Sequence, residues 1–336
     1  LNSKKIKKNV PFKTILVFGN AKNGIEYYNK KMCPVSNCKI TKNKYNIDKA
    51  DVVLTQHQGF SRGSRSPQSQ IWVMYLLESP YHTPRLNGYK DMYNWTATYR
   101  HDSDIVTPYA KFVPFDDSVP SKSQQYNYAK GKTKQIAWFV SNCGASNNRM
   151  EYAKELGKYM QVDIYGNCGK LKCWKRKSDE CFQILNRDYK FYLAFENSNC
   201  RDYITEKFFL NGLQHDIIPI VMGAAPEDYE RVAPPHSFIH VDYFESPKEL
   251  AQYLTILDKN DSLFNEYFRW KGTGSFVNTL FWCRLCAIAH EAEVQTSVYH
   301  DLEKWWRGPD VCIGKDSWRK RPRTSKYIVT NYKTNE

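Results

Sequence analysis

Along the chain, apolar bursts of strand length recur at 14–18, 51–55, 71–77 and 95–99, then at 135–140, 162–165, 191–195, 217–221 and 238–241. Between them lie polar or helix-patterned stretches. Over 149–160 the apolar and aromatic positions fall at 150, 152, 153, 156 and 159–160, which is a helical period. Ser246-Pro247-Lys248-Glu249 reads as a capping box with proline in the first turn, and predicts a helix running to about 257. Strands alternating with helices predict parallel sheets covered by helices. Between 118 and 134 the composition turns polar, and this stretch reads as the link between two such series. The predicted fold class is α/β: two Rossmann-like, doubly wound domains facing each other across a cleft. The boundaries read as 1–126, a linker 127–134, a second domain 135–300 and a basic extension 301–336. In such sheets, ligands bind beyond the carboxyl ends of the strands, where strand order reverses.

Composition narrows the setting. A chain of 336 residues, 41% hydrophobic and with 24 tyrosines, can bury a core in each domain. The formal charge of +14 is partly local, with Lys4, Lys5, Lys7 and Lys8 at the start and Arg319, Lys320, Arg321, Arg323 and Lys326 near the end. Such runs read as solvated tails, and the remaining excess suits a polyanion such as a nucleotide diphosphate. Ten cysteines suit an oxidising compartment, as do the sequons at Asn94-Trp95-Thr96 and Asn260-Asp261-Ser262. Only Cys283 and Cys286 have the spacing of a metal knuckle, and no second pair completes four ligands. The chain begins at Leu1 without an apolar run of membrane-spanning length. A secretory protein of this kind is expected to have lost a signal peptide or an N-terminal membrane anchor.

The chemistry concentrates in 191–223. An apolar strand ends in Glu196-Asn197-Ser198, a short loop follows, a helix is predicted to about 213, and a second buried strand ends at Gly223. Polar groups at a strand's carboxyl end and a helix's first turn suit phosphate. Lys207 adds a full positive charge, while Asn197, Tyr203 and Glu206 offer groups for hydroxyl recognition. The same pattern also fits an ordinary strand–loop–helix capped by Asp202.

One long ordered run carries a resemblance: Phe195-Glu196-Asn197-Ser198, then Asp202-Tyr203-Ile204-Thr205-Glu206-Lys207, Asn211-Gly212 and Ile218-Pro219-Ile220-Val221-Met222-Gly223. It resembles the donor-binding signature of the α1,3-fucosyltransferase family (GT10). The likeness extends to Leu77-Glu78-Ser79-Pro80, Asn94 to Asp104, Val140-Ser141-Asn142-Cys143 with Arg149, and Cys283-Arg284-Leu285-Cys286. It implies a GT-B fold whose first domain holds acceptor and whose second holds GDP-fucose. It implies that L-fucose passes to O3 of a GlcNAc with inversion, by single displacement, with Glu78 as general base. Glu78 would otherwise read as a plain strand-end carboxylate. Lys207 and Arg149 would neutralise the diphosphate in place of a metal, and Glu206 would hold fucose hydroxyls. Asn197, Ser198 and Tyr203 would complete the donor pocket, and Tyr165 would meet the nucleotide. His82, Tyr99 and Arg100 fall on the acceptor side.

No required metal is expected, although a divalent ion could stimulate. Asp102-Ser103-Asp104 looks like a metal motif but lies in the expected acceptor domain. His57 stands where relatives often carry paired histidines, so its role is open. In relatives, cysteines like Cys33, Cys38, Cys283 and Cys286 tie the two ends of the chain together, and the same is expected here; a local Cys283–Cys286 bridge is the rival. Closing so long a loop contributes roughly 3–5 kcal/mol. The tail from Trp305 onward resembles invertebrate core α1,3-fucosyltransferases, which points to the innermost GlcNAc of the N-glycan core. A Lewis-type enzyme acting on antennal GlcNAc is the alternative, and a non-catalytic lumenal glycan-binding protein is the alternative of another class. The expected setting is the Golgi lumen, as a type II membrane protein with a glycoprotein acceptor as partner. No zinc finger, RNA-binding signature or basic heptad supports a nucleic-acid partner. Oligomeric state is not legible.

Overall fold

A computed structural model describes residues 11–19, 33–56, 70–123, 125–172, 178–291, 298–320 and 333–334. The chain divides into two compact units. One comprises Leu1–Pro108, Thr279–Pro309 and Lys326–Glu336; the other comprises Tyr109–Asn278 and Asp310–Ser325.

The first unit is built on β1 (Lys13–Phe18), β2 (Cys38–Thr41), β3 (Val52–Thr55), β4 (Ile71–Leu76) and β5 (Trp95–Thr98), in the order β2-β1-β3-β4-β5. Every neighbouring pair is parallel. Strands covered on both faces read as continuous apolar runs, and the fully buried β3 is the clearest case. Helix Phe281–Glu291 places Phe281, Leu285 and Ala289 on one face, four residues apart, against Ile15, Val17, Leu54 and Val73. Disulfides Cys33–Cys283 and Cys38–Cys286, spanning 250 and 248 residues, fasten that helix to the start of the chain. The end-to-end pairing expected from the resemblance is present, and the local Cys283–Cys286 bridge is not. These long closures fit the assignment of Thr279–Pro309 to the first unit and not to a second domain extending to 300.

In the second unit, β6 (Lys111–Pro114) pairs antiparallel with β12 (Gly274–Val277). The main sheet holds β7 (Lys134–Phe139), β8 (Val162–Tyr165), β9 (Tyr189–Phe195), β10 (Ile218–Met222) and β11 (Ile239–His240). Its order is β11-β10-β9-β7-β8, all parallel. Helices Arg149–Leu156 and Pro247–Lys259 cover one face through Ala153, Leu156, Leu250 and Leu254. The other face carries Leu185, Phe208 and Tyr229. After β7 the chain goes to one side for β8 and crosses to the other for β9, so strand order reverses between β7 and β9. The carboxyl ends of those two strands are therefore the expected ligand crevice.

The polar stretch 118–134 is not a connector between units but part of the second one. Lys122 N–H donates to the Arg269 carbonyl at 2.8 Å, and Tyr128 stacks on Phe268 at 4.3 Å between ring centres. The buried Lys132 ammonium donates to the carbonyls of Leu185, Asn186 and Tyr189. Its polarity is met by the unit's own backbone and marks no boundary. Half of the predicted capping box is present: Ser246 Oγ accepts from Glu249 N–H at the head of Pro247–Lys259, but the Glu249 carboxylate accepts from Glu245 N–H and not from Ser246 N–H. The helix predicted over 149–160 closes earlier, at Leu156, where Gly157 follows. Among the described residues, no helix is long and apolar enough to cross a membrane.

Candidate active site

β9 is buried at all seven positions, so the residue that follows it, Glu196, enters the interior as a carboxylate. It is 0% exposed. A buried carboxylate persists only with partners, and Glu196 has three: Thr205 N–H at 2.7 Å, Thr205 Oγ1 at 3.0 Å and Lys207 Nζ at 2.9 Å. Lys207 also donates to Thr205 Oγ1 at 2.9 Å and lies 3.6 Å from Glu206. Burial pushes the Glu196 carboxyl upward, and Lys207 opposes that rise. For Lys207, burial disfavours the ammonium, but Glu196 and then Glu206 outweigh it and raise its pKa. The two shifts pull the shared proton in different directions. The geometry, with three donors aimed at Glu196, favours the ion pair.

Gly223, at the end of β10, makes this arrangement possible. Its φ is +153°, and a Cβ there would stand 2.6 Å from Glu196 Cγ. Any side chain at 223 would displace the carboxylate.

Thr205, and not Asp202, caps the short helix Glu206–Phe208, which passes directly into a π-turn over Phe209–Leu213. Asp202 sits at φ +57° and pairs with Arg231 at 2.7 Å. The helix expected to about 213 is therefore an α-turn plus a π-turn, a form common at functional sites.

Arg149 is 4% exposed and bridges the two strand ends at the crevice. Nη1 donates to Phe195 O and Nη2 to Asn142 O, each at 2.8 Å. Its Nε is buried and has no hydrogen-bond partner among the described residues. Burial lowers its pKa and the Glu196 charge acts against that; a guanidinium stays charged regardless. Asn147 donates from Nδ2 to Glu196 O and Asn199 Oδ1, each at 3.0 Å, while its own Oδ1 is orphaned. A cleft of ≈ 430 Å³ lies on the Asn147 side of this cluster, lined by Asn147, Tyr152, Asn199, Gly223, Asp242 and Trp318 among others; Arg149, Glu196 and Lys207 do not line it.

Asn197 is half-buried and accepts from Ser198 Oγ at 3.1 Å; Ser198 and Tyr203 are buried beside it. Tyr165 differs from expectation. Its side chain turns into the core and its hydroxyl bonds Tyr189 at 2.8 Å, in a chain that ends on Asp163. It packs the sheet and its phenol does not face the crevice.

In the first unit, Glu78 is exposed two residues past the end of β4, and its Oε1 accepts from Ser79 N–H at 2.8 Å. His82 is exposed in the turn Pro80–His82, with Nδ1 3.1 Å from Ser79 Oγ. Tyr99 and Arg100, expected on the acceptor side, are buried. Arg100 is held by Asp102 at 2.5 Å, by the Trp305 carbonyl and by the Trp305 ring. Asp104 accepts from Thr96 N–H, Thr96 Oγ1 and Tyr299 OH. Both aspartates of the apparent metal motif thus serve internal structure. His57 lies outside the described residues.

The sequons separate as well. Asn94 is 0% exposed and its Oδ1 accepts from Trp72 N–H at 2.9 Å, so the folded chain has no room for a glycan there. Asn260 is exposed, and among the described residues its side chain uses only Oδ1, to cap helix Asp261–Glu266 through Leu263 N–H at 3.1 Å. Its amide nitrogen can carry a sugar without loss of the cap. Peptide mapping after secretory expression should find glycan at Asn260 and none at Asn94.

Sequence reasoning left Glu196 and Asn147 without roles. Glu196 carried a usable signal: an acidic residue directly after the apolar run 191–195 has little solvent to face. Asn147 carried none, because its partners Glu196 and Asn199 lie 49 and 52 residues away.

A parallel α/β sheet with two cations and a buried carboxylate at its switch point has the form of an anion-binding crevice of an α/β fold. "Fucosyltransferase, N-terminal" matches residues 11–110, and "Glycosyltransferase family 10 (fucosyltransferase) C-term" matches 129–305. The chain belongs to glycosyltransferase family 10. It is 52% identical, over 95% of its length, to glycoprotein 3-alpha-L-fucosyltransferase A of Drosophila melanogaster. It is 40% identical over 72% of its length to alpha-(1,3)-fucosyltransferase C of the same fly. To the 4-galactosyl-N-acetylglucosaminide 3-alpha-L-fucosyltransferase FUT6 of Homo sapiens it is 38% identical, covering 78% of this chain and 74% of that protein. The chain spans 65% and 60% of the two fly proteins. Crystal structures of an alpha1,3-fucosyltransferase with GDP-fucose and with GDP share the fold, with TM-scores of 0.54 and 0.56 at 14% and 17% identity. These cover 89% and 86% of this chain, and 96% and 94% of those.

Proposed function

We propose that the protein transfers L-fucose from GDP-β-L-fucose to O3 of the innermost GlcNAc of an N-glycan core. The observation that carries this is the Glu196–Lys207–Arg149 arrangement at the β7/β9 switch point, which gathers two cations beside the strand ends where a diphosphate would sit. The choice of a core acceptor is supported by the 52% likeness to a glycoprotein 3-alpha-L-fucosyltransferase. The expected setting is the Golgi lumen, with a membrane anchor outside this stretch of sequence.

In this reading the GlcNAc O3 attacks fucose C1 from the face opposite the diphosphate. The O3–C1 bond forms as the C1–O(phosphate) bond breaks, the hydroxyl proton passes to Glu78, and the electron pair leaves with GDP. A β-linked donor thereby gives an α product without a covalent intermediate. A sugar hydroxyl is too weak an acid to attack unaided, so a carboxylate within reach is needed. The exposed position of Glu78 just past a strand end suits that task. Lys207 and Arg149 stabilise the growing charge on GDP and take the part a metal plays in other transferases. Glu206, half exposed beside Lys207, offsets the positive character of the sugar and receives its hydroxyls. Asn197, Ser198 and Tyr203 line the donor pocket around it.

The 38% likeness to an enzyme named for 4-galactosyl-N-acetylglucosaminide favours a second reading, transfer to antennal GlcNAc. Release of GDP in the presence of a core glycopeptide, compared with N-acetyllactosamine, decides between them. The core peptide should be turned over and the disaccharide should not; the reverse would overturn the core assignment.

A further inference from the structure

The segment 310–320 reads from its composition as the start of a solvated basic tail and lies beyond the family match, which ends at 305. The structure gives it other work. Cys312 is joined to Cys200, in the loop after β9, by a disulfide across 112 residues. Arg201 N–H donates to Val311 O and Ile313 N–H to Asn199 O, each at 2.9 Å, so the segment pairs like a strand with that loop. Further on, Ser317 Oγ and Trp318 N–H donate to the two oxygens of Asp242, after β11, at 2.7 and 2.9 Å. Trp318 Nε1 donates to Gly223 O, after β10, at 2.9 Å. One strap thus fastens three adjacent strand ends.

Two routes lead from the strap to the Glu196–Lys207 pair. Asn199 donates to Asp316 O at 3.2 Å and accepts from Asn147, and Asn147 donates to Glu196 O. Independently, Trp318 holds the backbone of Gly223, whose Cα packs so closely on Glu196 that a Cβ would stand 2.6 Å from it. The strap also walls the ≈ 430 Å³ cleft through Lys315, Asp316, Ser317 and Trp318. Asn147, on the same cleft, is 3% exposed and its Oδ1 is orphaned, a sign that the cleft takes a hydrogen-bonding ligand.

We infer that segment 310–320 is a built part of the donor site, with Trp318 as a positioning residue that sets the Gly223 and Asp242 loops for the nucleotide. The inference rests on the proposed function, since the nucleotide is GDP only in that reading. A residue acting in this way should change donor affinity while leaving the acceptor and the chemical step alone.

The test compares the intact chain with Trp318→Phe, which keeps the ring and loses the Nε1–H donor, and with Trp318→Ala. GDP affinity is read by calorimetry, and KM for GDP-fucose, KM for acceptor and kcat are read separately. Loss of one hydrogen bond should raise the GDP Kd and the donor KM by roughly fivefold in Trp318→Phe. Trp318→Ala should raise them by about tenfold or more, with acceptor KM and kcat within about twofold in Trp318→Phe. If Trp318→Ala does not fold, Trp318→Phe carries the test. Failure of the unmodified chain to bind GDP would remove the proposed function itself. Normal GDP binding in the unmodified chain with unchanged donor constants in Trp318→Phe would overturn the inference alone, as would an equal rise in donor and acceptor KM.

Discussion

Replacing Glu78 by Gln should leave GDP-fucose binding intact and lower transfer by roughly 100-fold or more, the ordinary worth of a general base. Gln keeps the volume and one acceptor oxygen, so the backbone contact from Ser79 N–H survives. What is lost is the capacity to take a proton. The residue is exposed and belongs to the first unit, whereas Lys207 and Arg149 belong to the second. Calorimetric GDP binding and turnover should therefore separate cleanly in this variant. Near-normal turnover would place the base elsewhere, with His82 the neighbouring alternative.

Replacing Lys207 by Met should be costly in two ways. The fully buried Glu196 would keep only the two Thr205 donors, and removing one partner of a buried pair costs about 3–5 kcal/mol because it leaves an uncompensated charge. Urea unfolding should show that loss. Adding Glu196→Gln should recover most of the stability, since the amide needs no counter-ion. Donor binding should not recover, because the cation facing the diphosphate is still absent. A double variant that binds GDP normally would reduce Lys207 to a structural role.

Much of the fold was legible because it is written locally. The burst pattern located nine of the ten parallel strands to within one or two residues, since strands in a covered sheet are largely apolar; β2, where Lys39 and Thr41 alternate with Cys38 and Ile40, gave no burst. What was not legible depends on distant partners. Tyr165 looked like a strand-end ligand, but Tyr189 and Asp163 draw its hydroxyl inward. Arg100 looked like an acceptor contact, but the Trp305 ring and carbonyl, 205 residues on, hold it. The polar 118–134 stretch resembled a linker until its partners Arg269, Phe268 and Leu185 were in place. The strap at 310–320 was hidden for the same reason: its charge is local, whereas its disulfide and hydrogen bonds reach back to 199–242. In the site itself the signature named Lys207 and Glu206; the place of Glu196 after an apolar run hinted at its burial, but its partners Thr205 and Lys207 had to come from the fold.

The most direct test of the account is the product. Incubating the protein with GDP-β-L-fucose and a core glycopeptide, then reading mass and proton NMR, should give one added fucose, α-linked to O3 of the innermost GlcNAc. A β-linked product, or no mass gain from folded protein that binds GDP, would contradict it.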